Sequence, residues 1–165
     1  MGFFNKLLGK PGKGNENSIY APVAGRTVPL CEVPDPAFSG GMLGDGVAII
    51  PAEGKIYAPC NATVDMVFTT GHAVTLVADS GAEILIHVGL QANPDQNKYF
   101  TVHIQNGQRV EKGALMIEVD LEAMAADGLR AITPVLVSNC DEFGSFRTLT
   151  GKTVSNEDII LELAR

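Results

Sequence analysis

The stretch HAVTLVADSGAEILIHV, residues 72–88, decides the fold. Two apolar, β-branched runs, Ala73–Ala78 and Gly81–Val88, flank Asp79-Ser80, a pair of turn formers. That pattern is a β-hairpin. If Asp79-Ser80 is the whole loop, Ala78 pairs with Gly81, and further along His72 stands opposite His87. Directly opposed Cβ atoms lie about 4.5–5.5 Å apart, so two imidazoles would share one patch of surface. A longer loop that takes in Gly81 is expected to shift the pairing by two and keep both rings on one face.

The text around the hairpin is of the same kind. Short strands are expected at Ser18–Tyr20, Gly25–Pro29, Val47–Pro51, Lys55–Tyr57, Ala62–Val67, Phe100–His103, Ala114–Val119, Val135–Ser138 and Asp158–Ala164. Gly, Pro, Asn and Asp separate them, as in an antiparallel sandwich. One short helix is expected at Leu121–Ala126, with Asp120 as its N-cap and Gly128 closing it. The run Ile19-Tyr20-Ala21-Pro22 recurs as Ile56-Tyr57-Ala58-Pro59, and Gly107 to Gly113 is a G-x-x-V-x-x-G hairpin. The expected fold is all-β: an antiparallel β-sandwich, a barrel-sandwich hybrid of short strands, with one or two short helices.

Composition agrees. The 165 residues contain 18 Gly and 9 Pro, above the average share of about 12%. A hydrophobic fraction of 45% excludes disorder. The net charge of −7 speaks against a nucleic-acid partner, which needs a basic stripe. With no Trp and 6% aromatics, stacking platforms for bases or sugars are not expected. Cys31, Cys60 and Cys140 are odd in number and widely spaced, so neither a disulfide framework nor a zinc knuckle is encoded. They read as buried small apolar residues in a reducing cytosol. No signal-peptide run and no stretch of about 18 apolar residues occurs, so a soluble cytoplasmic protein is expected.

Residues 1–17 stand apart from a domain spanning 18–165. Phe3, Phe4, Leu7 and Leu8 share one helical face beside Lys6 and Lys10, and Gly9 to Asn17 reads as a flexible linker. Lys6, Lys10 and Lys13 against Glu16 leave this tail at +2 and the rest at −9. A basic amphipathic tail of this kind suits weak contact with anionic membrane.

Three histidines are present, His72, His87 and His103. His103 lies in an alternating strand and reads as an exposed bystander. The pair His72 and His87 admits three readings. One neutral imidazole is a nucleophile near pH 7, and a second can donate a hydrogen bond to developing charge, which suits a phosphoryl relay. Two imidazoles also supply half of a tetrahedral zinc site, though no local acid or cysteine completes it. The third reading is incidental placement in a sheet.

Further motifs carry a resemblance. They are Ala21-Pro22-x-x-Gly25, Val33-Pro34-Asp35-x-x-Phe38, Gly44-Asp45-Gly46-Val47-Ala48-Ile49 and Thr70-x-His72-Ala73. Gly81-x-Glu83-Ile84-Leu85-Ile86-His87-Val88-Gly89-Leu90, Thr133-Pro134-Val135 and Ser138-Asn139 follow in order. From about Ile19 to Leu163 the chain resembles the glucose-type enzyme IIA of the bacterial sugar phosphotransferase system. The resemblance implies that His87 accepts phosphate on Nε2 from the histidine phosphocarrier HPr. It implies that His87 then passes the group to a cysteine of an enzyme IIB domain of a sugar permease. It also implies that His72 stabilises the phosphoryl group and that Thr70 orients His72. Phe38, Phe68, Leu85 and Val88 fall at the family's apolar docking rim, with Asp35 as its acidic neighbour. No cofactor is required. His72 and His87 can hold zinc shared with a partner protein, and regulatory protein targets are also implied.

The chain departs from the family in Gln91-Ala92-Asn93, where an acid and then Thr usually follow, and in Pro36-Ala37, which replace bulkier residues. A regulatory module of the same fold that has lost efficient transfer is the alternative this raises. A lysostaphin-like zinc peptidase needs His-x-His on one strand and an Asp four residues after another His, where Leu76 stands here. A lipoyl or biotinyl carrier needs a Met-Lys or Asp-Lys turn, which the chain lacks.

Overall fold

The computed structural model describes residues 17–90 and 98–164. Residues 1–16 of the amphipathic tail and the polar run after the second histidine, residues 91–97, lie outside these. The strands are β1 (Ser18–Tyr20), β2 (Gly25–Pro29), β3 (Asp45–Pro51), β4 (Lys55–Tyr57), β5 (Ala62–Val67), β6 (Ala73–Ala78) and β7 (Glu83–His87). They continue as β8 (Phe100–Val102), β9 (Arg109–Val110), β10 (Leu115–Val119), β11 (Thr133–Val137), β12 (Ser145–Thr148), β13 (Thr153–Val154) and β14 (Ile159–Ala164). Two short helices join them, α1 (Pro36–Ser39) and α2 (Leu121–Ala126).

All pairings are antiparallel. The largest sheet runs β13-β2-β3-β11-β7-β6-β5-β9, and two three-stranded sheets, β1-β14-β12 and β4-β10-β8, accompany it. The architecture is the expected antiparallel sandwich with few short helices, and it is not a closed barrel. Strand alternation sorts side chains between its faces. Val47, Ile49, Ile84, Ile86, Val135 and Val137 enter the main core, whereas Ala48 and Leu136 enter a smaller cluster with Val28, Leu30, Val33 and Phe38. Leu85, Leu90 and Ile132 pack against that smaller cluster. The site stands at its border.

The internal repeat has a structural counterpart. Tyr20 donates its N–H to the Pro59 carbonyl (3.0 Å), and Tyr57 donates to the Pro22 carbonyl (2.7 Å). Each copy closes on the end of the other. Helix α2 follows its caps: the Asp120 side chain accepts from the Ala123 N–H, and Gly128 adopts φ +75°.

Several expectations need correction. Gly81 (φ +93°) joins the hairpin loop, which therefore has three residues rather than two. The pairing moves by one, not two, so Ala73 and not His72 stands opposite His87. Cys31 is exposed and Cys140 is half-buried; of the three thiols, Cys60 alone is a buried core residue. Burial, reinforced by the Asp79 charge, pushes the Cys60 thiol up to about 12. The strands β9, β12 and β13 and the helix α1, of two to four residues each, were not among the expected elements. Among the described residues no helix is long and apolar enough to cross a membrane.

Candidate functional site

His87 ends β7, on the face it shares with Leu85. His72 precedes β6, next to Gly71, whose φ of +80° turns the chain. Strict alternation would have put positions 72 and 87 on opposite faces once the pairing moved by one. The rings meet because His72 lies in that turn, ahead of the pleated strand. Their centroids are 4.7 Å apart and the planes are nearly perpendicular, at 81°. The His72 carbonyl still accepts the Val88 N–H (2.7 Å), so the turn is tied to the strand that carries His87.

Each ring is held by one nitrogen. His87 Nδ1 lies 2.6 Å from the Gly89 carbonyl oxygen. A carbonyl only accepts, so Nδ1 carries the proton and the neutral ring keeps Nε2 as its free lone pair. Gly89 adopts φ +81°, and a Cβ there would come within 3.0 Å of the Arg130 carbonyl oxygen, so the position requires glycine. His72 Nδ1 is hydrogen-bonded to the Thr70 hydroxyl.

Apolar rings surround the pair. Phe38 lies 5.1 Å from His87, and Phe68 lies 5.5 Å from His72, edge-on. Desolvation dominates the titration of both histidines. Burial, with repulsion from His87, lowers His72 to about 4. Burial also lowers His87, against the opposing pull of the Gly89 carbonyl and the Asp35 charge. Both rings are therefore neutral at pH 7, the state in which an imidazole is a nucleophile.

The residues expected at the rim divide into groups. Phe38, though only 4% exposed, walls His87; Phe68 is half-buried beside His72, and Leu85 is half-buried on the strand face it shares with His87. Val88 is 2% exposed and belongs to the main core, so it is not presented as rim. Its neighbours on β7 explain this, since alternation sends Ile84, Ile86 and then position 88 inward. Asp35 has two parts to play: Oδ1 accepts the Ala37 N–H (3.0 Å) as the N-cap of α1, and its charge is felt at His87. Pro36 fits N1 of that helix, where no N–H is needed. His103 is exposed and hydrogen-bonded to Glu118 (2.6 Å), away from the pair. Among the described residues, no group of three or more His, Cys, Asp or Glu side chains is placed to hold a metal ion. His72 and His87 would supply two of the four donors of a tetrahedral zinc.

The model of the family described as phosphoenolpyruvate-dependent sugar phosphotransferase system, EIIA 1, matches residues 17–143. The chain belongs to this family. It is 41% identical over 152 residues to the glucose-specific EIIA component of Bacillus anthracis, covering 92% of each chain. It is 40% identical over 154 residues to the beta-glucoside-specific EIIBCA component of Halalkalibacterium halodurans, covering 93% of this chain but 24% of that protein. The glucose permease IIA structure from Mycoplasma capricolum superposes with a TM-score of 0.79 at 29% identity, over 87% of this chain and 93% of the other. The chain is thus an EIIA phosphocarrier component of a sugar phosphotransferase system.

Two features around the histidine pair were missed in the sequence. Phe100 lies 6.4 Å from His72, brought there by β8 from a distant part of the chain. The Gly89 carbonyl that holds His87 is a backbone group; its only signal was a glycine two residues after a histidine.

Proposed function

We propose that this EIIA component accepts a phosphoryl group on His87 Nε2 from the phosphohistidine of HPr and passes it to a cysteine of an enzyme IIB domain. The observation that carries the reading is the hydrogen bond from His87 Nδ1 to the Gly89 carbonyl, which leaves Nε2 as the nucleophile. In the first step a bond forms from Nε2 to phosphorus as the bond to the donor histidine breaks. Positive charge develops on the His87 ring, and the Nδ1–H···O=C hydrogen bond strengthens as it does. In the second step the cysteine thiolate takes the group and His87 returns to neutral.

His72 is assigned to stabilise the group in transit. With Thr70 donating its hydroxyl proton to Nδ1, the neutral ring carries its proton on Nε2 and can donate it as a hydrogen bond to a phosphoryl oxygen. Phe38 and Phe68 exclude water from the phosphohistidine, which limits hydrolysis. The acidic body favours encounter with a basic partner surface. The fusion of IIB, C and IIA parts in the beta-glucoside relative supports a sugar-permease IIB partner. Zinc bound by His72 and His87 requires a partner to bring the remaining ligands. The amphipathic tail is assigned weak contact with anionic membrane; binding of full-length protein to vesicles that ignores anionic lipid would remove that assignment.

The test is incubation with phosphoenolpyruvate, enzyme I and HPr. Acid-labile phosphate is expected on the wild type and none on His87→Ala. Labelling of that variant would move the acceptor elsewhere, and an unlabelled wild type would favour a regulatory module that has lost transfer.

A further inference from the structure

Helix α2 packs its Met124 beside Gly89 and is bound at both ends by Tyr99, the residue that leads into β8. On one side is Gly89, which holds His87. The Met124 terminal methyl lies 3.5 Å from where a Cβ of Gly89 would stand, and the Arg130 carbonyl oxygen lies 3.0 Å from it. The Gly89 N–H donates to the Ile132 carbonyl (2.9 Å), in the segment that leaves α2. On the other side is Tyr99, a buried residue, 5% exposed, with no part in the chemistry above. Its carbonyl accepts the N–H of Asp120, the first cap of α2 (2.8 Å), and its hydroxyl donates to Asp127, the last cap. One residue therefore spans the helix from end to end. Lys98 adds its ammonium 3.4 Å from the same carboxylate and 5.1 Å over the tyrosine ring.

Tyr99 leads directly into β8. Phe100 meets the Tyr99 ring edge-on at 6.3 Å and lies 6.4 Å from the His72 ring. A Cβ on Gly71 would stand 3.1 Å from Phe100 Cβ and 2.9 Å from Val102 Cγ2. The turn that carries Thr70 and His72 thus rests on β8 with no room to spare.

We propose that the Tyr99–Asp127 hydrogen bond is a positioning link that sets the His72 ring against His87 by fixing β8 to α2. This rests on the reading of the two histidines as the phosphoryl pair. Tyr99 acts through Phe100 and the Gly71 turn and touches no reacting atom. The consequence is asymmetric. Loosening β8 displaces His72, whereas His87 keeps its own hold on Gly89.

The experiment compares wild type, Tyr99→Phe, Asp127→Ala and Asp127→Asn in the full-length protein. Long-range proton–nitrogen spectra read both imidazoles, and acceptance from phospho-HPr and onward transfer are timed separately. Tyr99→Phe and Asp127→Ala are expected to shift the His72 ring nitrogens and to slow onward transfer by about tenfold. His87 signals and acceptance should stay at wild type. Asp127→Asn, which keeps a carbonyl acceptor for the tyrosine hydroxyl, should restore the wild-type rate and spectrum. Unchanged His72 signals in Tyr99→Phe would overturn the link, and so would equal shifts of both histidines, which mark general loosening. The spectra need no phosphoryl donor. A wild type that never accepts phosphate, with His72 alone shifted in Tyr99→Phe, would sink the relay reading and leave the link standing.

Discussion

The β6–β7 hairpin has two ends built from the same two strands, and they use their polar groups in opposite ways. At the closed end, Asn139 accepts the Glu83 N–H (2.9 Å) and donates to the Gly81 carbonyl (2.9 Å), while Asp79 is bound two-fold by Arg109. Donors and acceptors there are used up in holding the loop. At the open end, Thr70 and Gly89 each hold one nitrogen of an imidazole and leave the other uncommitted. The buried side-chain polar atoms of the described residues are all satisfied. The proposed relay uses the end of the hairpin at which His87 keeps a lone pair, so the two ends separate residues that hold from residues assigned to react.

The sharpest way to break that contrast is at the open end. His72→Ala, which removes the Nε2–H donor, should accept phosphate at close to the wild-type rate and pass it on slowly, by roughly 100-fold or more, the usual cost of one lost stabilising donor. Separate timing of the two half-reactions checks this; loss of acceptance would mean that His72 is needed to make the nucleophile. Phe38→Ala empties a buried site beside His87 and should cost about 3–5 kcal/mol in urea unfolding, with faster hydrolysis of the phosphorylated form. Unfolding without faster hydrolysis would reduce Phe38 to a packing residue.

Titration gives a smaller effect. Folding holds His72 near 4 against an ordinary 6.5, so the unfolded chain binds the proton first as pH falls. The stability tied to neutral His72 is complete above about pH 6.5 and is lost as pH falls toward 4, with a full extent of about 3 kcal/mol. Unfolding of wild type and His72→Gln at pH 7 and pH 4.5 should show a shallower loss in the variant. Equal losses would assign the acid sensitivity elsewhere. At the closed end, Asn139→Ala should cost about 1–3 kcal/mol and leave both transfer steps untouched. Arg109→Ala, whose pair with Asp79 is exposed, should cost less still. A transfer defect in either would show that the two ends are coupled.

Much of this was legible in the sequence. Alternating apolar residues marked both hairpin strands, whereas the residue types at 72 and 87 left a relay, a zinc site and incidental placement open until the family resemblance was added. The register was not legible, because Gly81 can end a strand or enter a loop, and only its left-handed backbone decides. The meeting of the rings survived that error for a reason outside strand periodicity: His72 belongs to a turn at Gly71. Val88 was misplaced for the same kind of reason, since an apolar residue beside a site looks alike whether it faces in or out. Tyr99 was silent, because its partner Asp127 lies far along the chain and only the fold brings them together.

The proposed relay turns on one atom, Nε2 of His87. Phosphorylation of nitrogen-labelled protein by phosphoenolpyruvate, enzyme I and HPr, followed by long-range proton–nitrogen and phosphorus spectra, reads where the phosphorus is bound. Phosphorus is expected to couple to Nε2 of His87, with Nδ1 still protonated against Gly89 and His72 unmodified. Phosphorus on Nδ1 of His87, or on either nitrogen of His72, would contradict this assignment.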